Sequence, residues 1–80
     1  MTFASREKEW SDRARRYLKA ELKRAEITYA ELAKRMREQH GLDETEASIT
    51  SKLGRGTFPA TFFIAALIAI GAEVVKLEDI

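Results

Sequence analysis

Apolar residues recur at steps of three and four along most of this 80-residue chain. That spacing predicts helices. Trp10, Ala14, Tyr17, Leu18, Leu22 and Ala25 form one stripe and predict a first helix over about 9–25. Arg13, Arg16, Lys19, Lys23 and Arg24 fall off it. Tyr29, Leu32, Ala33 and Met36 predict a second helix, running from Thr28 to about Glu38. Ala47, Ile49 and Leu53 predict a third over about 44–53. Residues 60–71, ATFFIAALIAIG, are apolar on every side. A helix of that kind needs cover on more than one face. The tail AEVVKLEDI allows either a short strand around Val74, Val75 and Leu77 or a closing helical turn. The expected fold class is all-α, with four to five helices.

The punctuation between these patterns supports the same division. Thr28 stands three residues before Glu31, and Asp43 stands three before Glu46. Each pair has the spacing of a capping box. Gly41 can close the second helix in a left-handed conformation. Leu42 is placed to staple against Ala47 across the Asp43 cap. Gly54, Arg55 and Gly56 end the third helix, and Phe58 before Pro59 is pushed to extended backbone. Residues 28–56 therefore read as a helix-turn-helix core within one domain, 1–80. Residues 1–8 are expected to form a flexible arm, and 60–71 an apolar fourth helix.

Composition narrows the possibilities. A chain of this size buries only about 60% of its unfolded surface, so dimerisation is a common remedy. There is no cysteine, which removes disulfides and thiolate metal sites. The N-terminus has no apolar core of a signal peptide, and no apolar run reaches the roughly 20 residues of a membrane span. A cytoplasmic protein with no membrane contact is the expectation. The formal net charge is +1, but it is unevenly spread. Residues 1–40 carry 11 basic and 7 acidic side chains, and residues 41–80 carry 3 and 6. The basic half is a possible footprint for an anionic partner, or simply a solvated helix face.

Three segments carry a family resemblance. ITYAELAKRM (27–36) resembles the second helix of the phage-repressor and Cro-type (XRE-like, lambda-repressor-like) helix-turn-helix family, with Thr28, Leu32 and Ala33 in matching places. ASITSKLGRGTFP (47–59) resembles that family's third helix and its stop, through Ile49, Gly56 and Pro59. FFIAALIAIGAEVVKLEDI (62–80) resembles the following helix and short tail. The layout TYAEL…ETEASI…RG also resembles a group of small bacterial domains of unassigned function. The chain departs from the repressor pattern in three places. The connection between Leu32 and Ile49 is longer, Tyr29 replaces an early glutamine, and the third helix starts with acid at Glu44 and Glu46.

The resemblance implies a small regulator of transcription that binds duplex DNA. Thr28 and Tyr29 would meet a phosphate through a helix N-terminus and a phenol. Thr45, Ser48, Lys52 and Glu44 would face base edges in the major groove. Arg55, Lys34, Arg13 and Arg16 would anchor phosphates, with Gln39 and His40 at the groove edge. The plainer reading of the acidic residues is helix capping, and that of Lys52 and Arg55 is attraction to a helix C-terminus. Helix 4 predicts a homodimer through Phe62, Ile64 and Ile68, with Val74 and Val75 of the tail. The alternative is a protein–protein module, antitoxin-like or anti-regulator, that turns helix 4 toward another regulatory protein. No Ser/His/Asp or Cys/His set and no phosphate loop is present, so neither an enzyme nor a cofactor is expected. His40 has no second histidine or cysteine to share a metal with.

Overall fold

Thr2 caps the first helix well before the apolar stripe begins: its hydroxyl accepts the Ser5 N–H at 3.3 Å. The computed structural model describes residues 2–80. It contains α1 (Phe3–Arg24), α2 (Tyr29–His40), α3 (Glu46–Arg55) and α4 (Ala60–Ile70), followed by a 3₁₀ turn (Leu77–Asp79). There is no strand among the described residues, and the fold is all-α. One expectation is corrected and one open alternative is decided. Residues 3–8 are the opening turns of α1 rather than a loose arm. Val74 and Val75 form no strand, and the tail closes as a helical turn.

The helix starts differ in one instructive way. Thr28 caps α2, accepting from the Glu31 N–H at 3.1 Å. The Glu31 carboxylate does not return to the cap; it accepts from Arg35 Nε at 3.1 Å. The cap of α3 is Thr45, not Asp43. Thr45 Oγ1 accepts from the Ser48 N–H at 3.1 Å, and Ser48 Oγ accepts from the Thr45 N–H at 2.8 Å. The box is reciprocal, but its members lie two residues further along than the Asp43/Glu46 spacing predicts. With the helix shifted, Ala47 is exposed and the expected staple to Leu42 is not made; Leu42 packs on the core instead.

All four helix stops use the left-handed region, at Glu26, Gly41, Gly56 and Gly71. Gly41 has φ +66°, which lets Leu42 N–H reach back to Met36 O at 3.2 Å. After α1 the same closure is made by Glu26 at φ +57°, with Ile27 N–H on Leu22 O at 2.9 Å. A side chain in that conformation costs about 1–2 kcal/mol relative to a right-handed one. Burial of the next residue, Ile27, holds the turn in place.

Each helix contributes to one core. Leu18 and Leu22 come from α1, Leu32 and Met36 from α2, Ile49 and Leu53 from α3. Fully burying such a side chain contributes about 1.5–3 kcal/mol. α2 lies between α3 and α4, and α1 packs on α4. On α4 the buried residues are Phe62, Ala66, Leu67 and Ala69, while Ile64 and Ile68 are more than half exposed. The helix is thus covered on one side and open on the other. Trp10, assigned to the α1 stripe, is 49% exposed, because α1 projects past the core at its N-terminal end.

Several arginines act inside the fold. Arg35 spans from Glu31 to the Ala69 carbonyl, donating to the latter at 3.0 Å. Arg37 donates to the Glu44 carbonyl at 2.9 Å. Arg13 Nε donates to Ile80 O at 2.7 Å, pinning the tail to α1. Each satisfies a carbonyl at or near a chain turn that has no helical partner of its own. No helix among the described residues is long and apolar enough to cross a membrane.

Candidate nucleic-acid interface

The α2–α3 connection ends on a buried carboxylate. Glu44 is 8% exposed, lying just outside the Thr45 cap. One oxygen, Oε1, accepts from the Ser48 hydroxyl at 2.6 Å. The other, Oε2, accepts from Lys52 Nζ at 2.5 Å. Lys52 sits one helical turn beyond Ser48, so both donors lie on the same face of α3. The ammonium also stands 4.8 Å from the centre of the Phe62 ring, where the ring face attracts a cation. Burial alone would raise the Glu44 pKa. The hydrogen bonds from Lys52 and Ser48, together with the lysine charge, outweigh it and hold the carboxyl below its ordinary value.

Three of the expected base readers make this contact with one another. Glu44, Ser48 and Lys52 are occupied with one another, Glu44 buried and the other two part-buried, because a half-buried ammonium and a buried carboxylate each need the other. Phe62, expected on a dimer face, is 3% exposed and lies in the core beside Phe58, with ring centres 5.3 Å apart. Tyr29 is half-buried against the core and is less available to a phosphate than a free phenol. Thr45 is exposed, but its hydroxyl serves the cap.

The remaining expected residues fall into two groups. Thr28, Lys34, Gln39, His40 and Arg55 are exposed on or beside the α2–α3 pair. Arg13 and Arg16 lie elsewhere, beside the tail, in a polar depression shared with Tyr17, Arg24 and Asp79. Burial raises the Tyr17 pKa, with Glu21 and Asp79 adding to it. Among the expected tail residues, Val74 and Val75 are exposed, as are Ile64 and Ile68 on α4.

The outer face of α3 carries residues that were not named among the expected base readers. Glu46, Ala47, Thr50, Ser51 and Gly54 are exposed along it. Thr50 Oγ1 donates to Glu46 O at 2.8 Å. The signal was present in the positions of Ile49 and Leu53: residues one and two places on from each fall on the far side of a helix. Arg15 was missed too. It pairs with Asp12 at 3.0 Å and its guanidinium lies against the Gly54 carbonyl, joining α1 to the end of α3. Among the described residues no group of three or more His, Asp or Glu side chains is placed to hold a metal ion.

A family model described as a domain of unknown function (DUF6471) matches residues 10–75, so the chain belongs to that family. No curated protein and no solved structure matches it.

Proposed function

We propose that this DUF6471 chain is a small DNA-binding regulator that lays α3 in the major groove. The observation that carries the reading is the two-sidedness of α3. Ile49 and Leu53 are fully buried against the rest of the fold, while Ala47, Thr50, Ser51 and Gly54, with Glu46 at the first turn, are exposed on the outer side. A helix with such a low outer face fits a groove about 12 Å wide. Arg55 at the end of α3 and Lys34 on α2 are exposed cations flanking it, in position to meet phosphates. The Thr28-capped start of α2 offers free N–H groups and a favourable dipole to another. In this reading Glu44 and Lys52 orient α3 rather than touch DNA.

The test is fluorescence anisotropy of a labelled duplex pool of random sequence. Binding is expected to weaken linearly in log K against log salt, by counterion release, between about 50 and 200 mM salt. Absence of salt-sensitive binding would overturn the proposal.

Ile64 and Ile68 favour a second reading. They are one turn apart on α4 and both exposed, so they form a small apolar patch suited to another protein chain. Ile68→Asp would then abolish partner capture while leaving duplex binding alone.

A further inference from the structure

We propose that Arg15 is a positioning residue: acting from α1, it holds the last turn of α3, and Arg55 with it, where the DNA contact needs them. Its purpose rests on the DNA reading; the clamp itself does not.

The last turn of α3 has no apolar anchor of its own. Ile49 and Leu53 are the only side chains that α3 buries in the core. Beyond Leu53 the helix runs through Gly54 and Arg55, both exposed, to its stop at Gly56. A ten-residue helix is not stable in water on propensity alone, so its end needs a hold from outside.

Gly56 is buried nevertheless, and Arg15 and Asp12 are what lie against it. A Cβ on Gly56 would stand 3.5 Å from both Cδ and Nε of Arg15. The arginine stem therefore lies over the glycine, and Nη1 points to the Gly54 carbonyl at 3.5 Å. Asp12, one turn back on α1, holds the other arm of the fork: its Oδ1 accepts from Nη2 at 3.0 Å.

This pair differs from an ordinary surface ion pair, which contributes little. The Arg15 and Asp12 side chains are only 28% and 35% exposed. Nε of Arg15 is buried with no hydrogen-bond partner among the described residues. Desolvating a guanidinium N–H in that way is unfavourable. The end of α3 offsets the cost, because the carbonyls of a helix C-terminus sum to roughly half a negative charge and favour a cation.

α3 is thus held at both ends by charges of the sign its dipole favours, each from outside the helix. Glu44 stands at the N-terminal end and Arg15 at the C-terminal end. α3 packs mainly on α2, so Arg15 is its tie to α1. Arg55 leaves the same turn that Arg15 covers, and moving that turn moves the phosphate anchor.

The experiment measures amide hydrogen exchange and duplex binding on the full chain. Arg15→Met should speed exchange at Gly54, Arg55 and Gly56 at least about tenfold, with Ile49 of the same helix unchanged. Asp12→Asn leaves the arginine stem in place and should give a smaller change at the same three amides. Arg55→Ala and Arg15→Met should each weaken binding to the random duplex, and the double variant should lose no more than Arg55→Ala alone. Additive losses, with the salt slope falling by about 2, would make Arg15 a phosphate contact in its own right and overturn the proposal. Unchanged exchange at residues 54–56 in both α1 variants would overturn it too, as would an increase spread equally to Ile49. A wild type that binds no duplex strikes the DNA reading, and the exchange measurement then decides the clamp by itself.

Discussion

Lys52 Nζ lies 2.5 Å from Glu44 Oε2, linking the residue just before the α3 cap to the second turn of the helix that follows. The pair fixes how the chain enters α3. Glu44→Gln would leave a half-buried ammonium without its counter-charge, at a cost of about 1–3 kcal/mol. Urea unfolding followed by circular dichroism measures it; a change below a few tenths would show the pair to be ornamental.

The same pair sets a pH dependence. The Glu44 pKa is lower in the folded chain than its ordinary value of 4.5. The stabilisation is therefore fully present well above pH 4.5. It declines as pH falls below that value and through the lower folded pKa, because the unfolded chain takes up the proton first. Wild type should lose stability more steeply than Glu44→Gln on the acid side and no differently near neutrality. Parallel acid titrations of the two proteins would reveal a matching slope if this is wrong.

The DNA reading separates two kinds of cation. Arg55→Ala and Lys34→Ala should each reduce the salt slope of duplex binding by about 1 and weaken all sequences alike. Lys52→Met should leave that slope unchanged, since its ammonium is already committed to Glu44. A slope that falls with Lys52→Met would return that residue to the interface.

Much of this arrangement was legible in the residue pattern. Four helices, the Thr28 cap and the Gly41 and Gly56 stops all follow from local spacing and backbone preference. The frame of α3 did not, because Asp43/Glu46 and Thr45/Ser48 have the same three-residue spacing, and only tertiary contact chooses between them. Burying Glu44 against Lys52 selects Thr45 as the cap. That shift turns Ala47 outward and takes Ser48 and Lys52 off the outer face. Phe62 was misplaced for a related reason: on a helix apolar all round, periodicity cannot tell the covered side from the open one.

Caps give an independent check on that frame. Thr45→Ala should cost about 0.5–2 kcal/mol, whereas Asp43→Ala should be close to neutral. Chemical denaturation of both variants decides it, and a larger loss at Asp43 would restore the earlier frame.

Glu26 offers a gain rather than a loss. Replacing it by glycine relieves about 1–2 kcal/mol of left-handed strain and gives back about 0.5–1 in unfolded-state entropy. Glu26→Gly should therefore raise the melting temperature. A fall would mean that the carboxylate has a role in the turn beyond filling it.

The arginines at helix ends leave a mark on how this chain can drift. Arg35 holds the Glu31 carboxylate and the Ala69 carbonyl at once, with two different N–H groups of one planar fork. A lysine in its place has a single compact charge and cannot span both. Lys19 and Lys23 stand exposed in solvent, where the two cations are nearly equivalent. Exchange between lysine and arginine is thus open at one set of positions and closed at another, and a descendant sequence would change freely in the first while Arg35 stayed put.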